Sequence, residues 1–344
     1  MYGLEALPRT LEAALRDAKN AKESVRVAAV RDLSRHAAGA EGRQAVEALT
    51  FALKDDGSVE VRAAAALALA DAGARDAVDA LLGGTADPNL RVRQMSLIAI
   101  GELGDGADGR VENVIRAAIG DSAAALRYQG LIAANALSLP FAEAALVEAT
   151  GDADGEVRYI ALRLLEERAS AEKSGQPADS TLTVVALRLS DPALRVRLAA
   201  GLFFGRMGDR AGAEAITEGI EARDDTLDPE DVQAAIVLAG ELAVHDAAAA
   251  LARHAWGTFG RGSRFAYEAR IALANMGNIR AKKALLQGLS ASSRDARTLA
   301  VVAAGRANLS EALPLIEAME PDERRADSGA VKDALMALRG SRKS

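Results

Sequence analysis

The sequence predicts an all-α chain: a right-handed α-solenoid of stacked helical hairpins, about nine to ten units long. Three observations predict it. Residues 87–105 read DPNLRVRQMSLIAIGELGD and residues 191–209 read DPALRVRLAAGLFFGRMGD, nearly the same phrase twice. Apolar residues make up 50% of the 344 but aromatics only 3%, so Ala, Leu, Val and Ile must fill the interior. Such small side chains suit close helix packing better than a sheet, which favours β-branched and aromatic residues. No segment alternates polar and apolar residues in the manner of a strand.

The repeated phrase gives a register. Arg93 has Asp87 six residues before it and Gly104 eleven after it; Arg62 has Asp56 and Gly73 at the same offsets, and Arg197 has Asp191 and Gly208. Arg127 keeps Asp121 and Arg158 keeps Asp152, both without the Gly. Arg26 opens the series with Asn20 in the Asp position, and Arg297 closes it more loosely. Val232 and Ala266 stand where two further units would place their Arg, and a last partial unit centres near Lys332. Successive anchors fall roughly 30 to 40 residues apart, the spacing of stacked two-helix units.

Each unit reads as two helices. In the third, Leu97, Ile100 and Leu103 follow helical spacing after Asp-Pro, where Asp is expected to cap and Pro to sit in the first turn. The Gly-Asp-Gly of residues 104–106 breaks the chain, and Val111, Val114, Ile115 and Ala118 form the partner helix. The second unit repeats this with Leu67 and Leu69, then Val78, Leu81 and Leu82. The whole of 1–344 reads as a single solenoid, with repeats over 20–320. Residues 1–19, with Leu4, Leu7, Leu11 and Leu15 on one stripe, are expected to cap the N-terminal end, and 321–340 the C-terminal end. The polar stretch 166–180, with Gly175 and Pro177, reads as a long exposed loop.

The recurring Arg lies in the first turn of its helix, where the macrodipole disfavours a cation, so each needs a nearby acid. The Asp six residues earlier is the candidate each time. This pattern resembles the HEAT-like repeats of the phycobilisome-lyase type, whose unit reads roughly D-P-x-x-x-V-R-x-x-A-A-x-A-L-G-x-L-G-D. The resemblance covers roughly residues 20–340. It implies a ladder of hydrogen bonds between neighbouring repeats, involving Arg62, Asp87, Arg93, Asp121, Arg127, Asp152, Arg158, Asp191 and Arg197. Removing Arg93 is expected to leave a carboxylate underpaired, at about 1–3 kcal/mol.

Several function classes are disfavoured by composition. No cysteine is present, which removes disulfides, thiolate catalysis and Cys-based metal sites. His36, His245 and His254 stand in no ligand motif, and no Ser–His–Asp pattern or phosphate loop is visible. Acid pairs such as Asp55–Asp56, Glu166–Glu167 and Asp224–Asp225 read as solvated caps. No cofactor is expected. The net charge of −7 argues against nucleic acid. Neither a leader-like segment nor an apolar stretch of about 18–20 residues is found, so a cytoplasmic protein without membrane contact is expected.

What remains is a non-catalytic scaffold or adaptor for a protein partner. The resemblance implies that second helices line a concave face, offering Arg110, Glu112, Asn113 and Arg116, then Glu214, Glu218 and Glu221, then Lys282 and Lys283. Reversing the three glutamates is expected to weaken binding without lowering the melting temperature. The stretch 253–270 holds Trp256, Phe259, Arg261, Arg264, Phe265 and Tyr267 among glycines, and Phe259, Arg261 and Arg264 are candidates for a recognition rim. Trp256 falls where other units place Leu82 and Leu289, which points to the core. The alternatives are a bilin-lyase-like enzyme subunit and a nucleic-acid-binding HEAT-like protein. Related deoxyhypusine hydroxylases need His–Glu ligands and related DNA glycosylases a basic groove, and neither feature is present here.

Overall fold

Every regular element among the described residues is helical in the computed structural model. The structure describes residues 9–38, 42–171, 177–222, 227–257, 262–320 and 322–340. Two units divide the chain, residues 1–165 and 166–344. In unit one, α1 (Leu11–Asp17) precedes the pairs α2 (Glu23–Leu33) and α3 (Gly42–Asp55), α4 (Val59–Asp71) and α5 (Val78–Gly84), α6 (Leu90–Leu103) and α7 (Gly109–Ile119), and α8 (Ala124–Ala136) and α9 (Ala142–Ala149). Next come α10 (Gly155–Ala171) and α11 (Asp179–Leu187). Unit two continues with α12 (Leu194–Arg206) and α13 (Ala213–Glu221), α14 (Pro229–Glu241) and α15 (Ala248–Trp256), α16 (Ala266–Asn275) and α17 (Ile279–Gly288), α18 (Arg294–Arg306) and α19 (Leu313–Glu317), and α20 (Ser328–Gly340). Leu4 and Leu7 of the expected N-terminal cap lie outside the described residues.

First helices stack on first helices: α2, α4, α6 and α8 pack in succession in unit one, as do α12, α14 and α16 in unit two. Each second helix fills the space behind, with α3 against α4, α5 against α6 and α7 against α8. Close stacking needs small residues, and they recur three positions after the anchor: Ala29, Ala65, Ala200, Ala235 and Ala269 are wholly buried. Gly130 holds this place in α8, where a Cβ would meet Ile119 at 2.9 Å. Ser96 stands there in α6, buried, with its hydroxyl unpartnered. The residue before the anchor is the apolar counterpart, with Val61, Val92 and Val196 at zero exposure.

The Arg–Asp ladder exists, with a division of labour that the offsets alone misassign. Each anchor Arg turns Nη1 back onto the backbone carbonyl six residues earlier: Arg62 to Asp56 at 2.9 Å, Arg93 to Asp87 at 3.0 Å, Arg127 to Asp121 at 3.0 Å, Arg158 to Asp152 at 2.9 Å and Arg197 to Asp191 at 2.8 Å. The carboxylate comes instead from the following repeat. Arg62 donates to both oxygens of Asp87 at 2.7 and 3.1 Å, Arg127 to both of Asp152 at 2.7 Å, and Arg26 to both of Asp56 at 2.8 and 2.9 Å. Each Asp also accepts the N–H two residues on, Ser58 for Asp56 and Asn89 for Asp87, both at 2.8 Å. The helix N-cap is therefore Ser58 or Asn89 rather than the Asp, and Pro88 lies before the helix, not in its first turn.

Arg93 departs from the expectation. It bonds only the carbonyls of Asp87 and Pro88, and no carboxylate among the described residues pairs with it. Asp121 spends its carboxylate on the Ala123 N–H at 2.7 Å. Asp56, in a rung, is not a solvated cap, and neither is Glu166, which is 5% exposed and paired with Arg206. Asp224 and Asp225 lie outside the described residues.

The Gly eleven residues after the anchor is explained by backbone conformation. Gly73, Gly208 and Gly277 have φ of 63°, 76° and 84°, the left-handed turn that ends the first helix. Ser138, Ala243 and Asn308 occupy the same offset with φ of 50°, 50° and 46°, so the turn persists where Gly is lost. Gly104 is the exception, extended at φ −63°. After Arg158 the offset falls on Ala169, and no turn forms: α10 continues to Ala171 through a stretch of good helix formers. Residues 166–171 are thus helix rather than the start of an exposed loop.

Two outcomes follow for stability. Arg62→Ala should cost about 1.5–3 kcal/mol in urea unfolding at neutral pH, and Arg93→Ala only about 1 kcal/mol, because Arg93 holds carbonyls alone. Equal costs would contradict this division of labour. The Arg62 guanidinium holds Asp87 below the usual carboxylate range, and Arg127 does the same for Asp152. A carboxyl depressed by folding stabilises above its unfolded value, about 3.9, and loses that contribution as pH falls through the folded value. The deficit of Arg62→Ala should therefore shrink below pH about 4. Separately, Ala243→Gly should raise unit-two stability by about 1 kcal/mol by relieving an Ala held at positive φ, read as a higher melting temperature.

Candidate functional site

Second helices were expected to offer free charges, and most of those charges are engaged. On α7, Arg110 bonds Asp79 of α5 and Asp108, each at 2.7 Å. Glu112 and Arg116 pair one turn apart at 2.8 Å, and the Arg116 guanidinium also lies 3.6 Å from the Phe141 ring centre. Asn113 is exposed beside them. On α13, Glu218 accepts from Arg197 at 2.8 Å, standing in for a ladder Asp, and Glu221 lies 3.5 Å from Arg253. Glu214, Lys282 and Lys283 make no ion pair among the described residues; Glu214 and Lys283 are exposed and Lys282 half-buried.

In the stretch 253–270, Phe259 and Arg261 lie outside the described residues. The described part clamps the C-terminal end of α15. Ser263 N–H donates to the His254 carbonyl at 2.9 Å, Arg270 donates to the Ala255 carbonyl, and His254 reaches Ser263 Oγ at 2.8 Å and the Ile220 carbonyl at 3.0 Å. A side chain on Gly262 would collide with Ala266 and the His254 carbonyl, which explains the glycine. Phe265 is buried, Trp256 is half-buried against the unit-two core with Arg280 4.1 Å from its ring centre, and Arg264 is exposed with its guanidinium 4.8 Å from the Phe265 ring centre. Burial lifts the Tyr267 phenol to about 12, so it stays protonated at neutral pH.

A different surface emerges on the first helices of unit one. Positions two, five and nine after the anchor fall within about 60° of one another around a helix, on the side away from the buried small residue. They carry Ala64, Leu67 and Asp71 on α4, Met95, Ile98 and Glu102 on α6, and Gln129, Ile132 and Ala136 on α8. Leu67, Ile98 and Ile132 are each half-buried, and so is Met95, forming an apolar stripe across consecutive helices. At its α2 end the stripe opens into a groove of about 310 Å³ lined by Ala64, Leu67 and Met95, by Arg31, Arg35 and Arg91, and by Glu60 and Asp71.

A family model described as HEAT repeats matches residues 7–101 and, in a second register, 46–135. Over residues 7–135 the chain is thus similar to HEAT repeats. Among solved structures, YibA of Escherichia coli is 14% identical with a TM-score of 0.54, over 78% of this chain and 93% of that one. An engineered protein is 16% identical at a TM-score of 0.45, covering 96% and 98%, respectively. The CpcE–CpcF complex of phycocyanin lyase from Nostoc sp. PCC7120 is 18% identical at a TM-score of 0.44, covering 81% and 98%. No curated protein matches the sequence.

No group of three acidic or histidine side chains among the described residues could hold a metal ion. No helix among them is long and apolar enough to cross a membrane. The first-helix stripe was missed in the sequence because a half-buried Leu or Ile looks like a core residue until its neighbours are known. Its signal was present: offset five carries Leu67, Ile98 and Ile132, whereas α2 carries Arg31 there.

The engaged state of Glu218 changes the expected result of charge reversal. Glu218→Lys should place two cations together at Arg197 and lower the melting temperature of the protein, whereas Glu214→Lys should leave it unchanged. Thermal unfolding of the two single variants, followed by circular dichroism, separates them; equal melting temperatures would mean the Arg197–Glu218 pair is not holding α12 to α13.

Proposed function

We propose that this chain is a cytoplasmic, non-catalytic scaffold that binds a protein partner through the first-helix face of unit one. The observation that carries this reading is the stripe of Leu67, Met95, Ile98 and Ile132, half-buried and contiguous over α4, α6 and α8. Apolar centres edged by charge are how partner surfaces are built, and Asp71, Glu102, Arg31 and Arg35 supply the edge. The second-helix charges of α7 are less suited, since Arg110, Glu112 and Arg116 already satisfy one another or their neighbours. Exposed ion pairs of this kind contribute little to either stability or affinity.

A second reading keeps the second helices of unit two. It is favoured by Ile279, 70% exposed at the start of α17 beside the Arg280–Trp256 stack, and by the unpaired Lys282, Lys283 and Glu214. Arg264, exposed with its guanidinium near the Phe265 ring, would belong to the same recognition surface.

Affinity capture from the native cytoplasm distinguishes the two. Ile98→Glu should reduce recovery of the partner at least about tenfold with helix content and melting temperature intact, as expected for a central apolar contact. The combined variant Glu214→Lys, Lys282→Glu, Lys283→Glu should leave recovery near wild type. The opposite pattern would move the docking face to unit two.

A further inference from the structure

Resting on the first-helix reading, the occupant of the stripe can be narrowed by spacing and charge. First helices in contact lie about 8–10 Å apart. Leu67, Ile98 and Ile132 hold the same offset on α4, α6 and α8, so their side chains repeat at about that interval. A helix laid across them advances about 1.5 Å per residue and returns a side chain to the same face after seven residues, about 10.5 Å. A strand returns to the same face every two residues, about 6.7 Å, and falls out of step. The repeat of the stripe therefore suits a helix.

Charge orients it. At the α2 end, offsets five and nine carry Arg31 and Arg35 in place of the apolar residue and the acid of α4 and α6. Arg31 makes no ion pair among the described residues, and Arg35 reaches Asp32 only at 3.7 Å while staying 66% exposed. Arg91, on the opposite wall of the groove, is held by Glu60 at a loose 3.4 Å. Three guanidinium groups and two carboxylates, Glu60 and Asp71, thus line a groove with apolar side chains between them, which leaves positive charge in excess at Arg31 and Arg35. Asp71 and Glu102 hold offset nine, Asp71 within the groove and Glu102 outside its lining, so the arginines gather at the α2 end of an acidic edge.

We propose that the first-helix face of unit one receives an amphipathic helix of a partner protein, about 18–20 residues long, with apolar residues at heptad spacing and a cluster of acidic residues at the end that meets Arg31 and Arg35. The apolar residues seat on Leu67, Met95, Ile98 and Ile132, and the carboxylates meet the excess positive charge of Arg31 and Arg35 in the groove. Guanidinium groups favour carboxylates through paired hydrogen bonds, which makes acids the fitting complement.

A phage-displayed library of random 20-residue peptides, panned on the full chain, tests this directly. Enriched sequences should carry apolar residues at i, i+3 or i+4, and i+7, with Asp or Glu clustered at one end. Synthetic versions should bind with an affinity that falls at high salt and drops about tenfold or more in the Arg31→Glu, Arg35→Glu double variant. Apolar residues at every second position, no acidic cluster, no enrichment, or unchanged binding to the double variant would each overturn the proposal. Ile98→Glu provides the separate control: selected peptides that still bind it would show that this face is not the site at all, and the functional reading would fall with the inference. Loss of binding in Ile98→Glu with wild-type affinity in the charge variant would leave the face standing and remove only the acidic helix. Light scattering on the free protein addresses a second copy as occupant, since a dimer that Ile98→Glu dissociates would also overturn the proposal.

Discussion

One bidentate bond recurs between repeats of unit one: the guanidinium of Arg26, Arg62 or Arg127 grips the carboxylate of the next repeat while holding its own entry turn by a backbone carbonyl. In the Arg62–Asp87 rung both side chains are nearly enclosed, 13% and 10% exposed. The Asp is short enough to accept the N–H two residues on and still present both oxygens to Arg62, which Glu would do only with a longer and looser arm. The Arg is planar, so binding two oxygens and a carbonyl fixes its orientation, and through it the offset between consecutive first helices. Lys, a point charge on a flexible stem, could satisfy the charge without fixing that offset.

Once the offset is fixed, the remaining positions of the first helix divide by angle. Within unit one the residue before the anchor is always Val or Leu and the one three after it Ala, Gly or Ser, and the latter is buried throughout against neighbouring helices. Offsets two, five and nine face outward and vary from Ala to Met, from Leu to Arg and from Asp to Ala within unit one. Variation on a fixed frame is where a repeat protein can carry recognition without risking its core. The same frame leaves the second helices with long charged side chains that reach one another, as Arg110 reaches Asp79.

Much of this was legible in the sequence, and the failures have a common cause. The Arg, the Asp and the Gly were visible because each requires a particular side chain or its absence. The carbonyl six residues before the Arg was not, because a backbone acceptor leaves no mark on residue type; Asn20 and Ala291 serve Arg26 and Arg297 as well as an Asp would. Assigning the carboxylate of the same repeat to the Arg was the resulting error. The left-handed turn was half legible: Gly73 announces it, but Ser138 and Ala243 adopt it under the constraint of the flanking helices. Exposure was the least legible quantity. Phe51 on α3 is 62% exposed and Glu166 is buried, an inversion of what either residue type suggests, because neighbours distant in sequence decide it.

The irregular rungs of unit two show that the fold requires a satisfied Arg where one is present, rather than the Arg itself or one fixed acid. The Arg position is Val232 or Ala266 in two repeats, and the positions that would have answered them in the next repeat are Gly260 and Ala291. Cation and acid are missing together, so no charge is left half-enclosed, and an unpaired charge in such a place costs far more than a pair contributes. Where only the acid is missing, the Arg finds a substitute. Arg197 would look to Thr226 and instead takes Glu218 at 2.8 Å. Arg297 would look to Ala326 and instead donates to the carbonyls of Arg325 at 2.6 Å and Arg324 at 3.2 Å. These substitutes come from a second helix and from a turn, elements that the ladder does not otherwise use. The anchor therefore behaves as a group that must be satisfied locally, and the solenoid's repeats tolerate any neighbour able to satisfy it.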